Sequence, residues 1–214
     1  MVTVSLCMIV KNEEKVLGRC LDSVGKIADE IIIVDTGSTD RTKEIAAKYG
    51  AKIFNMKWQE DFSLARNLSF LKAEMDYCMW FDADDIIRES EMLKLLRWKV
   101  ETDGSADVLM VRYVAAFDEK RNPTLVYYRE RLIKNNSGFR WQGRVHEAIQ
   151  ARGKVEYLDC EIEHHSIKTE YSRRNLSIYE MMEKKGEPFS ARDRFYYGRE
   201  LFYHREYGEA VDNF

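Results

Sequence analysis

The chain has 214 residues, enough for one domain with a substantial core plus an appendage. Charged residues make up 33% and hydrophobic residues 45%, a soluble globular composition that excludes a fibrous or low-complexity chain. A net charge of −3 gives no argument for nucleic acid or an acidic membrane as main partner, and the longest apolar stretches, such as 6–10 and 31–34, are far too short to span a bilayer.

Residues 2–10 form a β-rich run without the basic and long apolar regions of a signal peptide. Val16, Leu17, Cys20, Leu21, Val24 and Ile27 then recur at intervals of three and four, which predicts one helix face with Asn12 as its cap. A second strand covers 30–34 and ends at Asp35, and Thr36-Gly37-Ser38-Thr39-Asp40 is a turn with capping residues before a helix that stops at Gly50. A third strand is expected at 51–56 and a helix at 62–75, with Phe62, Ala65, Leu68 and Leu71 inward. The fourth strand, Tyr77-Cys78-Met79-Trp80-Phe81, ends abruptly at Asp82, Asp84 and Asp85, and a helix follows around Met92 to Leu96. Strands alternating with helices of that length indicate right-handed crossovers and a parallel sheet, so the fold class is α/β.

After Asp107 the rhythm changes. Strand-like runs at 108–114, 125–134 and 155–162 have only short spacers, which predicts a mixed or antiparallel second half. From Lys168 the composition is helical to the end, giving expected domains at 1–167 and 168–214. Tyr197, Gly198, Leu201, Tyr207, Ala210 and Phe214 resemble the start of a tetratricopeptide repeat; a terminal helical hairpin is the alternative. One repeat cannot bury its own face, so a longer parent with further repeats is expected. Cys7, Cys20, Cys78 and Cys160 show no C-x-x-C spacing and are expected to be free thiols in a reducing cytoplasm.

The carboxylates after Phe81 carry the most information. Aspartates are depleted in strands, and a cluster of them repels itself unless a positive charge arrives. The end of a parallel strand is where open α/β sheets place ligands, so a divalent cation bridging protein and phosphate oxygens is one reading. Helix-capping aspartates are the other. Asp35, at the end of the second strand, could accept from a base N–H or from ribose hydroxyls. Capping alone accounts for Ser38, Thr39 and Asp40.

Four segments in order, 5–14 (S-L-C-M-I-V-K-N-E-E), 34–40 (V-D-T-G-S-T-D), 58–67 (W-Q-E-D-F-S-L-A-R-N) and 82–85 (D-A-D-D), resemble the family 2 glycosyltransferases of GT-A fold, over roughly residues 2–167. The resemblance implies an inverting, metal-dependent transfer of a sugar from a nucleotide-diphosphate donor, commonly a UDP-sugar, to a saccharide or peptide acceptor. Some members carry helical repeats after the catalytic domain. The expected location is the cytoplasm, including a peripheral position at the inner membrane face. Carried onto this chain, Val10 and Glu13 lie beside the nucleoside, Asp35 contacts the uracil, and Arg66 holds base or diphosphate, with a surface salt bridge as its alternative. Asp82 contacts the ribose or a metal-bound water, and Asp84 ligates Mg²⁺ or Mn²⁺. Asp85 is either an alternative base or a helix cap.

Resemblance places Gly143-Arg144-Val145-His146-Glu147 near the acceptor, with Glu147 as candidate base and His146 orienting donor or acceptor. It also favours His164 as a third metal ligand. His164 and His165 are adjacent in a strand, point to opposite faces and cannot share one ion. A strand-end histidine bonded to backbone is the simpler alternative. Trp141 is a candidate sugar- or acceptor-stacking ring, with core packing as the alternative.

Other function classes fit less well. A metal-dependent phosphatase also uses a strand ending in D-x-D, but early in the chain, whereas this motif follows three βα units. A nucleotidyltransferase expects a glycine-rich phosphate loop after its first strand, and Lys11-Asn12-Glu13-Glu14 lacks the glycines. A non-catalytic repeat scaffold has no use for nucleotide and metal residues gathered at one sheet edge.

Overall fold

The computed structural model describes residues 1–167 and 172–214. In chain order the elements are β1 (Val4–Val10), α1 (Leu17–Val24), β2 (Glu30–Asp35), α2 (Thr42–Lys48), β3 (Lys52–Asn55), α3 (Phe62–Leu71), β4 (Tyr77–Phe81), β5 (Asp85–Ile87), α4 (Glu89–Glu101), β6 (Val108–Phe117), β7 (Pro123–Lys134), β8 (Trp141–Gln142), β9 (Ala148–Ile149), β10 (Val155–His164), α5 (Arg174–Lys184), α6 (Ala191–Tyr203) and α7 (Tyr207–Asn213). Eight strands among the described residues form one sheet in the order β3-β2-β1-β4-β7-β6-β10-β5, and β8 pairs separately with β9.

β1 to β4 are parallel neighbours, with Val10 level with Asp35 and Met8 level with Phe81. Alternation along β1 divides the core between the two sheet faces. Leu6, Met8 and Val10 pack with Leu17, Leu21 and Val24 of α1, whereas Cys7 packs with Ile32 and Cys78 under Phe70 of α3. β7 runs antiparallel to both β4 and β6, and β10 is parallel to β6 and antiparallel to β5. The mixed second half follows, as the short spacers predict.

Several local expectations are corrected. α1 begins at Leu17, with Val16 before it and no side-chain cap, because the Asn12 side chain is engaged in another loop. α3 ends at Leu71 rather than at Met75. Asp85 opens β5 rather than capping a helix: α4 starts at Glu89, and its preceding residue is Arg88. All four cysteines are buried and free.

The chain divides into two compact units. The first holds residues 1–58, 65–140 and 149–167; the second holds 59–64, 141–148 and 168–214. The expected domain break borders Lys168, which lies outside the described residues. In the second unit the α6 and α7 backbones approach closely: a Cβ built on Gly198 would lie 3.1 Å from Phe214 and 3.3 Å from the Ala210 carbonyl. Glycine at 198 therefore permits the contact.

Candidate functional site

The first unit gathers the strand-end residues. The loops after β1 and β2 are stitched together by hydrogen bonds that the sequence reads as helix caps. Asn12 N–H donates to Ser38 Oγ (2.9 Å), Glu13 N–H to Thr42 Oγ1 (2.8 Å) and Glu14 N–H to Asp40 Oδ2 (3.2 Å). In return Thr39 N–H donates to Asn12 Oδ1 (2.8 Å). Backbone donors leaving a strand need acceptors, and here the neighbouring loop supplies them. Asp40 also accepts from Thr42 N–H at 2.9 Å, but the residue before α2 is Arg41 and the helix has no side-chain cap, so the capping expectation is corrected; Ser38 serves the β1 loop instead.

Asp35 lies at the end of β2 and is 1% exposed. Its Oδ1 accepts from Gly37 N–H (3.0 Å) and Ser38 N–H (2.9 Å), a turn closed by Gly37 at φ +110°. Its Oδ2 is buried without a hydrogen-bond partner among the described residues. Buried carboxylate oxygens are rarely left unsatisfied, and one at a sheet edge is shaped to accept from a ligand N–H or O–H. Val10, level with Asp35, is buried, and its carbonyl accepts from Thr36 N–H at 2.9 Å. Glu13 is partly exposed on the same pair of loops.

The carboxylates after β4 separate by partner. Asp82 accepts from Arg66 Nη2 at 2.8 Å, with Arg66 itself only 7% exposed. Burial would raise the Asp82 carboxyl, but the Arg66 guanidinium outweighs it and holds the pKa down at about 2. The surface alternative for Arg66 is therefore corrected, because the Arg66 side chain is buried and its guanidinium also lies 4.9 Å from the Trp80 ring centre.

Asp85 is fully buried. Its Oδ2 pairs with Arg131 Nη1 at 2.9 Å, both side chains being 0% exposed, and its Oδ1 accepts from the Tyr113 hydroxyl at 2.9 Å. Burial, then Asp85, push the Tyr113 hydroxyl upward, so it stays a donor. A catalytic base must touch the proton it removes. Asp85 is enclosed by its own partners, and its expected role as alternative base is corrected to a structural one.

Asp84 faces His164. The antiparallel register sets His164 opposite Asp85, and His165 N–H donates to the Asp84 carbonyl at 2.8 Å, which ties the end of β10 to the carboxylate turn. His164 Nδ1 lies 3.5 Å from Asp84 Oδ1 and 3.5 Å from Asp85 Oδ1. It is buried and forms a good hydrogen bond to neither. Asp85 raises the imidazole pKa, burial opposes the rise, and Asp84 adds to it. Ligand atoms of Asp84, Asp85 and His164 all lie within 4.8 Å of one another. One nitrogen and carboxylate oxygens at that spacing fit a divalent cation of the Mn²⁺ or Mg²⁺ type. His165 points away to Glu163 Oε2 at 2.7 Å, as strand alternation requires.

Trp141, His146 and Glu147 belong to the second unit. Trp141 is 2% exposed. A stacking platform needs an open ring face, so Trp141 is corrected to a packing residue. Gly143 at φ +93° and His146 at φ +50° set the backbone of the segment, and Arg144 accepts at its carbonyl from Phe62 N–H at 2.9 Å. Arg144 also pairs with Glu187 at 3.0 Å. His146 Nε2 lies 2.7 Å from Glu200 Oε1, and Glu147 is partly exposed beside it.

Sequence reasoning missed Arg131, Tyr113 and Glu200. A signal existed for Arg131: it stands in the strand run Arg131-Leu132-Ile133, where a charge entering an apolar core needs a buried partner. Tyr113 and Glu200 carry no such signal, being ordinary residues of a strand and of a helix.

The comparisons with known proteins agree with this geometry. The model of the family described as "Glycosyl transferase family 2" matches residues 5–202. A TPR repeat-containing protein of Synechococcus elongatus is 37% identical over 150 residues, covering 70% of this chain and 36% of that protein. The SPbeta prophage-derived glycosyltransferase SunS of Bacillus subtilis is 29% identical over 224 residues, covering 98% of this chain and 52% of that protein. The chain thus spans about a third to a half of the length of these relatives. The crystal structure of S. aureus TarS residues 1–349 superposes with a TM-score of 0.56 at 16% identity, covering 96% of this chain and 72% of that one, which establishes the GT-A type of fold. No described helix is long and apolar enough to cross a membrane. With the family model matched across nearly the whole chain, this protein belongs to glycosyl transferase family 2.

Proposed function

We propose that this chain is the catalytic region of an inverting glycosyltransferase that uses a UDP-sugar donor, Mg²⁺ or Mn²⁺, and a saccharide or peptide acceptor. The observation that carries the reading is His164 Nδ1, buried between the Asp84 and Asp85 carboxylates at 3.5 Å from each without a good hydrogen bond. Asp84 and His164 would hold the cation, with Asp85 fixed behind them by Arg131 and Tyr113. When bound, the cation supplies Lewis-acid stabilisation for the diphosphate leaving group.

The remaining roles fall to the protein. Asp35 Oδ2 accepts from the uracil N–H, since it is the unsatisfied acceptor on the nucleotide edge. Val10 and Glu13 border the nucleoside. Arg66 holds Asp82 in place, and Asp82 serves the ribose side. Glu147 takes the proton of the acceptor as its oxygen or sulfur attacks the anomeric carbon. The bond from that carbon to the β-phosphate oxygen breaks, UDP leaves, and the configuration inverts.

Two likenesses support the reading: the relative SunS is named a glycosyltransferase, and TarS has been crystallised with UDP-GlcNAc. α6 and α7 are read as a tetratricopeptide-like helix pair, supported by the close approach at Gly198 and by the name of the cyanobacterial relative. A cytoplasmic location goes with a soluble donor and the buried free thiols.

Equilibrium binding tests the site before any acceptor is known. UDP should raise the melting temperature more with Mn²⁺ than without it, and UMP should respond little to the ion, because a cation held by Asp84 and His164 would stabilise a diphosphate. Equal stabilisation by UDP with and without Mn²⁺ and Mg²⁺ would contradict the metal-bridged donor.

A further inference from the structure

A buried glutamate on the last long helix holds the histidine of the acceptor-side segment. Glu200 of α6 is 0% exposed, and its Oε1 lies 2.7 Å from His146 Nε2 and 3.3 Å from Asn175 Nδ2 of α5. A carboxylate can only accept, and Asn175 donates to the same oxygen, so the proton of a neutral His146 sits on Nε2. Nδ1 is then the lone-pair nitrogen. No described residue bonds it, and the His146 side chain is 28% exposed.

Other contacts fix the ring and its backbone. Tyr196 of α6 stacks on His146 with ring centres 4.2 Å apart and planes at 18°. Arg192 Nη2 donates to the His146 carbonyl at 2.9 Å. The backbone at His146 adopts φ +50°, a left-handed conformation uncommon for a residue with a side chain. A helix that served only as a structural appendage would gain more from an apolar residue at 200, since burying a carboxylate costs free energy unless its partners need it.

We propose that Glu200 is a positioning residue: it fixes His146 in the tautomer protonated at Nε2, so that Nδ1 accepts a hydrogen bond from the incoming hydroxyl nucleophile and aims its oxygen. This rests on the reading above that the segment 143–147 serves the acceptor side. The same logic of a carboxylate orienting an imidazole recurs wherever a histidine must present one chosen nitrogen.

The test uses the full chain with ¹⁵N-labelled histidine and, as reaction probe, UDP-glucose with Mn²⁺ and water as the simplest hydroxyl. The chain has 4 histidines, and His146→Gln identifies the signal. Wild type should show His146 protonated at Nε2 and bare at Nδ1. In Glu200→Leu the signal should shift to a mixture of tautomers. UDP release at saturating donor should then fall by about ten-fold or more, while the KM for UDP-glucose changes by less than about two-fold. Glu200→Gln, whose amide oxygen can still accept, should keep more activity than the leucine variant. In a His146→Gln background the Glu200→Leu substitution should add little further loss, because it acts through the missing ring.

An unchanged His146 signal in Glu200→Leu overturns the proposal, as does a full additional loss in the double variant. If wild type releases no UDP from any UDP-sugar, the proposed function fails, and the tautomer spectrum still decides whether Glu200 positions His146.

Discussion

The two units place their chemical groups in different ways. In the first, the groups are delivered by the ends of parallel strands: Val10 and Asp35 close β1 and β2, and Asp82 directly follows β4. In the second, His146 is held by Glu200, 54 positions away, and Glu200 in turn accepts from Asn175, 25 positions from it. A strand end is a local device, because the sheet register fixes where its last side chain lies. A ring held against a distant helix is a tertiary device that depends on the whole unit folding. Substitutions at the strand-end groups should therefore remove one function cleanly, whereas those at Glu200 should act through the geometry of His146.

The largest effect is expected at the cation cluster. Asp84→Ala should lower metal-stimulated UDP release by about three orders of magnitude, since Lewis-acid stabilisation is worth several kcal/mol, while the melting temperature holds. Undiminished metal stimulation in that variant would remove Asp84 from the site. Next comes Glu147→Gln, expected to reduce transfer about 10²- to 10⁴-fold with UDP binding preserved, as loss of a general base does. A normal rate would place the base elsewhere.

Arg131→Met strands the Asp85 charge in the core and should cost roughly 3–5 kcal/mol of stability, seen in denaturant titration. Adding Asp85→Asn should recover much of that loss, because no charge then remains unpaired. A single variant as stable as wild type would show that the pair contributes little. The smallest effect is expected at Asp35→Ala, which should weaken UDP binding by about 1–3 kcal/mol through the lost base contact. Titration of UDP by calorimetry reads it, and unchanged affinity would move the base elsewhere.

The contrast also accounts for what could be read in the chain alone. The α/β order, the change of rhythm after Asp107 and the convergence of Asp35 with the Asp82–Asp85 turn were legible because period and strand ends are local properties. The division of labour among the three carboxylates was not. Asp82, Asp84 and Asp85 look equivalent in sequence, and only Arg66 and Arg131, arriving from α3 and β7, distinguish them. Ser38 reads as a cap because capping residues and cross-loop acceptors have the same chemistry; the choice depends on which N–H lies nearby. Trp141 reads as a stacking ring because aromatic residues serve cores and sugar sites alike, and its 2% exposure decides for packing. Glu200 was invisible for the same reason in reverse, since a glutamate in a helix is ordinarily solvated.

The central claim is that the Asp84 and His164 corner holds a cation that makes a UDP-sugar reactive. The most direct measurement is UDP release from a panel of UDP-sugars, with Mn²⁺, with Mg²⁺ and with chelator, beside a phosphomonoester control. The account predicts release from at least one UDP-sugar that requires the divalent ion and disappears in His164→Ala. Phosphomonoester hydrolysis without UDP-sugar turnover, or UDP release that chelator leaves unchanged, would contradict it.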